Sequence, residues 1–223
     1  VNLEAGAELG SGSWSAQIAD LSVLGWVPPT AAAAPISLGL SANIGPQGAA
    51  INDLVISDRF SRLAGSAELE FTAGTPRLGL NLAAENGELW RGSAELAEGQ
   101  LNASLSLESI PTERFLGSRV RGRLSGTLVA SGPVASPRVE LVVRSAPVEL
   151  DGDPISVRGR AILDRQRLAL QDLFVRVVNT DYRSGSLSAD LGSGTLSGAV
   201  TVVQRNEPDA EDLDISVIGS IAG

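Results

Sequence analysis

Few groups of residues in this chain combine the types and the spacing that chemistry needs. Gly192-Ser193-Gly194-Thr195-Leu196-Ser197-Gly198 has glycines like those of a dinucleotide-binding loop. Its last spacing is one residue too long, and Val200 and Val202 continue it as a strand, so a structural turn is expected. Glu207, Asp209, Glu211, Asp212 and Asp214 could offer hard oxygen ligands to Ca2+, but they lack the spacing and glycine of an EF-hand loop and read as a solvated loop. Asp151-Gly152-Asp153 is too short to be such a loop. Glycoside hydrolysis needs two carboxylates across a sugar, one with a raised pKa, and the acids here single out no pair. Asn102-Ala103-Ser104 matches a glycosylation acceptor inside an expected strand, where chance is the better account. Arg119, Arg121 and Arg123 share one face of an expected strand, opposite Val120, Gly122 and Leu124. They would suit headgroup phosphates or an acidic partner, but an edge strand that uses charge against edge-to-edge pairing is the better account.

Composition removes most remaining catalytic options. The 223 residues include no Cys, no Met and no His, and all 17 basic residues are Arg. Ser-His-Asp and Cys-His sites, His-based metal sites, disulfides, P-loops and Schiff bases are therefore excluded, and neither an enzyme nor a cofactor is expected. The net charge of -9 argues against general nucleic-acid binding. Its distribution is uneven, since residues 113–183 hold 12 Arg against 8 acids. The first 25 residues show no signal peptide, and no apolar run is long enough to span a membrane. A chain that starts at Val1 and lacks Met reads as a mature product or a piece of a longer protein.

What must position any function is sheet. Period-two alternation recurs throughout: Leu101, Ala103, Leu105 and Leu107 against Asn102, Ser104, Ser106 and Glu108, and Ile36 to Ile44 against Ser37 to Asn43. Turns are expected at Asn86-Gly87, as a type I′ hairpin, and at Glu98-Gly99, Asp151-Gly152, Ser184-Gly185 and Gly192-Ser193-Gly194. At ~10–12 residues per strand plus turn, about 18–22 strands are expected. Thr112 to Leu116 reads as a short helix, with Pro111 at its first position and Gly117 as its stop. The chain reads as one segment, 1–223, with an internal break at 26–35, where Pro28 to Pro35 interrupts alternation. Gly65-Ser66-Ala67-Glu68-Leu69 returns as Gly92-Ser93-Ala94-Glu95-Leu96, which suits a stacked architecture.

The feature left is distributed: a long, one-sided aliphatic sheet face with few large side chains, aromatics being only 4% of the chain. Closed, that face is a core. Curved and open along one side, it is an apolar trough, and exposed apolar area on that scale calls for a partner with hydrocarbon to bury. A fatty acyl chain fits, since at ~0.8 kcal/mol per CH2 a 16-carbon chain gains on the order of 12 kcal/mol against water and close to nothing against a membrane. Alternation assigns to the inside Leu78, Leu80, Leu82, Leu101, Leu105, Leu107, Leu124, Leu128, Val139, Leu141, Val143, Val157, Leu168, Leu170, Val175, Val177, Leu187, Leu196, Val200 and Val202. Two other readings stand beside this one. The first is a closed, adhesin-like β-solenoid without lipid. The second is a carboxylate-dependent carbohydrate hydrolase on a β-solenoid, for which substrate-stacking aromatics are scarce.

Ile110-Pro111-Thr112-Glu113-Arg114-Phe115-Leu116, then Val120-Arg121-Gly122-Arg123-Leu124-Ser125-Gly126-Thr127-Leu128, then Gly132-Pro133-Val134-Ala135-Ser136-Pro137-Arg138-Val139 resembles the repeated unit of the TamB and AsmA-like family. There a short helix leads into G-x-L-x-G-x-L strands and a G-x-x-x-x-P-x-V turn. Ala161-Ile162-Leu163-Asp164 to Arg167-Leu168-Ala169-Leu170, and Gly185-Ser186-Leu187 to Gly194-Thr195-Leu196-Ser197-Gly198, continue the likeness, which spans about 110–203. The resemblance implies a long sheet curled into an apolar trough, the β-taco, in a periplasmic chain anchored in the inner membrane of a Gram-negative envelope. The implied roles are phospholipid movement toward the outer membrane and, with an Omp85-family barrel, assembly of outer-membrane proteins. This chain departs from the family in lacking the N-terminal anchor and most of the length.

Overall fold

The computed structural model describes residues 2–10, 13–26, 36–72, 75–116, 119–146, 148–205 and 212–220. The strands are β1 (Asn2–Gly10), β2 (Ser13–Trp26), β3 (Ile36–Gly45), β4 (Gly48–Ser57), β5 (Arg62–Thr72), β6 (Thr75–Ala83), β7 (Leu89–Ala97) and β8 (Gln100–Pro111). After helix α1 (Glu113–Leu116) come β9 (Val120–Arg121), β10 (Arg123–Pro133), β11 (Arg138–Ser145), β12 (Val148–Leu150), β13 (Asp153–Asp164), β14 (Arg167–Val177), β15 (Thr180–Asp190), β16 (Thr195–Gln204) and β17 (Leu213–Ser220). All belong to one antiparallel sheet. Each long strand pairs with its neighbours in sequence, β8 joining β10 and β11 joining β13, while short β9 and β12 pair with each other beside β13. Among the described residues β1 and β17 do not pair, so the sheet is open. The expected all-β trough with a short helix is thus the fold. The seventeen described strands are fewer than the sequence estimate, because strands such as β2, β8 and β13 run to 12 or 14 residues.

The register makes the sheet two-faced. One row of directly opposed residues runs Ala42, Ile51, Ala67, Leu80, Gly92, Leu105, Leu128, Leu141, Ala161, Leu170, Leu187, Gly198 and Val217. It crosses thirteen strands, about 58 Å along the sheet at ~4.8 Å per strand, without one polar side chain. The next row, Leu69, Leu78, Ala94, Ala103, Ala130, Val139, Leu163, Leu168, Ala189, Leu196 and Gly219, is equally apolar. The opposite face carries Ser, Asn, Glu, Asp and Arg.

Curvature comes from the backbone. The ladder gains extra residues on β4 between Ile51 and Leu54, on β8 at Ser109 (φ 54), on β14 at Asp172 (φ 50) and on β15 between Arg183 and Leu187. A bulge bends its strand and increases the local twist while returning the alternation to the same face. On the concave side the side chains converge, so small residues must alternate with leucines. A Cβ on Gly65 would lie 2.0 Å from the Asn81 carbonyl oxygen, and one on Gly126 would lie 2.7 Å from that of Val142.

The layer stays thin. The accessible surface is 13955 Å2, whereas a compact 22.9 kDa monomer would expose about 9,600 Å2. Leu54, Leu63, Ala67 and Leu82 form the buried cluster, packed by Leu38, Leu40, Ile51, Ile56, Leu80, Ala84 and Trp90.

Several local expectations are corrected. Asn86-Gly87 does connect a hairpin, but through the five-residue loop 84–88, and only Gly87 has positive φ. The Asn86 side chain instead accepts from Glu88 N (3.1 Å) and donates to the Phe60 carbonyl (3.4 Å), which widens the loop. Ser184-Gly185 is the β15 bulge rather than a turn. Pro111 ends β8 and does not start the helix, while Gly117 lies outside the described residues, as do 27–35 of the expected break and 207–211 of the acidic run. Arg119, Arg121 and Arg123 do not share one strand, since Gly122 (φ 144) separates β9 from β10 and β9 pairs with β12 rather than forming an edge. The Glu98-Gly99 and Asp151-Gly152 turns do form, with positive φ at all four residues.

Candidate functional site: an open apolar face closed at one end

All twenty residues assigned to the inside by alternation fall on the apolar face. Leu80, Leu105, Leu128, Leu141, Leu170 and Leu187 share the first row described above, and Leu78, Val139, Leu168 and Leu196 the second. Leu82 lies opposite Trp90, Leu107 opposite Trp90 and Gly126, and Val143 opposite Gly126. Leu101 faces Leu96 and Gly132, and Leu124 faces Ile110. Val157 faces Val175, Val175 faces Tyr182, Tyr182 faces Val202, Val177 faces Ile155, and Val200 faces Ile215.

Exposure changes along the strands of this face. On β6 Leu82 is 0% exposed and Leu78 44%, although four residues, roughly 14 Å, separate them. The buried cluster fills the Leu82 end, and the Arg114 guanidinium lies over it, 5.8 Å from the centroid of the Trp90 ring. Arg114 points onto that end, where its Nε donates to Asp58 Oδ2 (2.8 Å), its Nη2 to Ser61 Oγ (2.7 Å) and its Nη1 to Glu88 Oε1. Glu88 Oε1 also accepts from the Trp90 indole N–H at 2.8 Å. Asp58 caps its own turn by accepting from Phe60 N and Ser61 N. Burial alone would raise the Asp58 pKa, but the Arg114 hydrogen bond and the two backbone donors hold it below the usual carboxylate range. Burial likewise opposes the charge on Arg114, and its bonds to Glu88 and Asp58 outweigh that, raising its pKa. A general acid needs the opposite shift of its carboxyl, so Asp58 fits a structural clasp. Sequence reasoning missed the clasp, because its members lie 56 and 26 residues apart.

The polar face carries its own ionic cluster. The Asp181 side chain is fully enclosed by Arg176 (2.7 Å), Arg183 (3.0 Å) and Arg205 (3.0 Å). Arg176, directly opposite Asp181 across β14–β15, and then Arg183 and Arg205 hold its carboxyl far below the usual range. Among the described residues no cluster of acids could hold a metal ion, and no helix is long and apolar enough to cross a membrane. Comparison of the chain with protein-family models, with curated proteins and with solved structures finds no match in any of the three.

Proposed function

We propose that this chain is a non-enzymatic segment of a TamB-like, bridge-forming lipid-transport protein, whose apolar face takes phospholipid acyl chains. The observation that carries the reading is the pair of uninterrupted apolar rows, with no second layer of described residues laid over them. A chain that pays nothing in polar contacts at any strand can pass hydrocarbon along with little change in free energy per step, as conduction between two membranes needs. The likeness of residues 110–203 to the family repeat supports the same reading. On that basis the protein acts in the periplasm as part of a longer chain anchored in the inner membrane, moving phospholipid outward and assisting outer-membrane protein assembly beside an Omp85-family barrel.

The test is lipid capture. Mass spectrometry of the purified chain should find co-purifying phospholipid. Photo-crosslinking probes at Leu105 and Leu141 should capture lipid, while probes at Ser104 and Glu140 on the polar face should not. Leu105→Asp together with Leu141→Arg should abolish capture and leave the β circular dichroism signal intact. Equal capture from both faces, or capture that survives these changes, would refute the proposal.

A further inference from the structure

The polar face holds a second feature, independent of what the apolar face binds. In register across β11, β13, β14 and β15 stand Arg144, Arg158, Phe174 and Arg183. Arg144 and Arg158 are direct cross-strand partners, and like charges so placed repel. Neither has an acidic partner within ion-pair distance among the described residues, whereas Arg183 has Asp181 and Arg160 has Glu140 at 2.7 Å. Arg158 is held in place by stacking on the Phe174 ring, its guanidinium carbon 4.6 Å from the centroid.

These side chains border a hollow of about 640 Å3, which lies where the bulges at Asp172 and at Ser184-Gly185 adjoin and which two carboxylates, Asp172 and the Arg160-paired Glu140, also line. Arg160 also borders it, and its Nε is buried without an acceptor while its side chain is 42% exposed. The neighbouring Asp181 shows what this face does with an anionic group, since three guanidinium groups close around its carboxylate.

We infer that the hollow is an oxyanion site in which Arg144 and Arg158 together bind a phosphate group. A dianionic phosphate neutralises both charges and converts their repulsion into two charge-assisted pairs, and the flat guanidinium fork matches phosphate oxygens. A single carboxylate would leave one of the two charges uncompensated. The site is local, because the chain as a whole carries -9 and the attraction fades within about 10 Å at 0.1 M salt. The phosphate can belong to a free phosphomonoester or, as two monoanionic phosphodiesters side by side, to neighbouring headgroups of an anionic lipid surface.

The test uses the whole chain at low ionic strength with two probes. Inorganic phosphate, titrated calorimetrically, should bind saturably at one site. Arg144→Gln/Arg158→Gln should weaken it at least tenfold, and each single change severalfold. Arg91→Gln, an exposed arginine elsewhere on the polar face, should leave it unchanged. Flotation with phosphatidylglycerol vesicles, set against phosphatidylcholine vesicles, reads the other source. An excess on phosphatidylglycerol that disappears in the double variant, without binding of free phosphate, assigns the site to headgroups. The double variant should fold, with an unchanged or slightly raised Tm in the absence of anions, because it removes a like-charge contact. If neither probe's binding depends on Arg144 and Arg158, the inference is overturned.

Discussion

Arg114 Nε lies 2.8 Å from Asp58 Oδ2, although 56 residues and four strands separate them in sequence. In a flat sheet the β4–β5 turn and the chain leaving β8 would stand roughly 14–19 Å apart at ~4.8 Å per strand. One side chain meets Asp58, Ser61 and Glu88 because the sheet between them curls and the Arg114 guanidinium reaches over the Trp90 ring.

Removing the centre of that clasp should be costly. Arg114→Met leaves the buried Asp58 and Glu88 carboxylates uncompensated, and the expected loss is about 3–5 kcal/mol in urea denaturation. Replacing all three together, as Asp58→Asn, Glu88→Gln and Arg114→Met, should cost less than the single change. Equal losses would show that the charges are not coupled.

Acid should weaken the fold through the carboxylates that arginine holds, which protonate later than ordinary ones. The folded-state pKa of Asp181 and of Asp58 lies below its ordinary value of 3.8. Their contribution is therefore complete above about pH 4 and lost as pH falls through the lowered folded values. Asp181→Asn should be less stable than the unmodified chain at pH 7 and should lose less between pH 4 and pH 2. Parallel stability curves for the two chains over that range would contradict the assignment.

Curvature should depend on small residues at particular sites of the concave face. Gly65→Ala drives a methyl group against the Asn81 carbonyl and should cost roughly 1–3 kcal/mol. Gly79→Ala, on the polar face of the adjacent strand with nothing within 4 Å, should lie between neutral and about 1 kcal/mol stabilising. Chemical denaturation of the two variants separates these outcomes.

Access to the apolar face should follow the exposure gradient on β6. A photo-crosslinker at Leu78 (44% exposed) should capture lipid, and one at Leu82 (0% exposed) should not, since the packed cluster and Arg114 over Trp90 fill that end. Capture at Leu82 in the Arg114→Met chain but not in the unmodified chain would identify Arg114 as the stop. Capture at Leu82 in the unmodified chain would contradict the closed end.

The two faces were legible in the sequence because period two survives even where the strands bend. Each bulge adds a residue that restores the phase, so Leu170 and Leu173, three apart, share a face just as Leu105 and Leu107 do. The bulges themselves were hidden. Ser184-Gly185 has the chemistry of a turn, and only the partners of β15 reveal a bulge. Arg119, Arg121 and Arg123 misled for a related reason, because Gly122 takes a positive φ that pattern alone does not announce. The Arg114 clasp, the Asp181 cluster and the Arg144–Arg158 contact depend on register between strands. In a chain with 17 Arg and 26 acids, too many pairings are conceivable for sequence to choose among them.

The linear order of the strands also governs how the structure comes apart. Between β1 and β17, which each have one flanking strand among the described residues, every long strand is gripped by its two neighbours and, the Arg114 clasp aside, by little else, so nothing locks the two ends together. Such a ribbon should fray inward from its margins like an unfastened zip, one hairpin at a time. Amide exchange should slow steadily from β17 toward the clasped middle, in place of a single all-or-none opening.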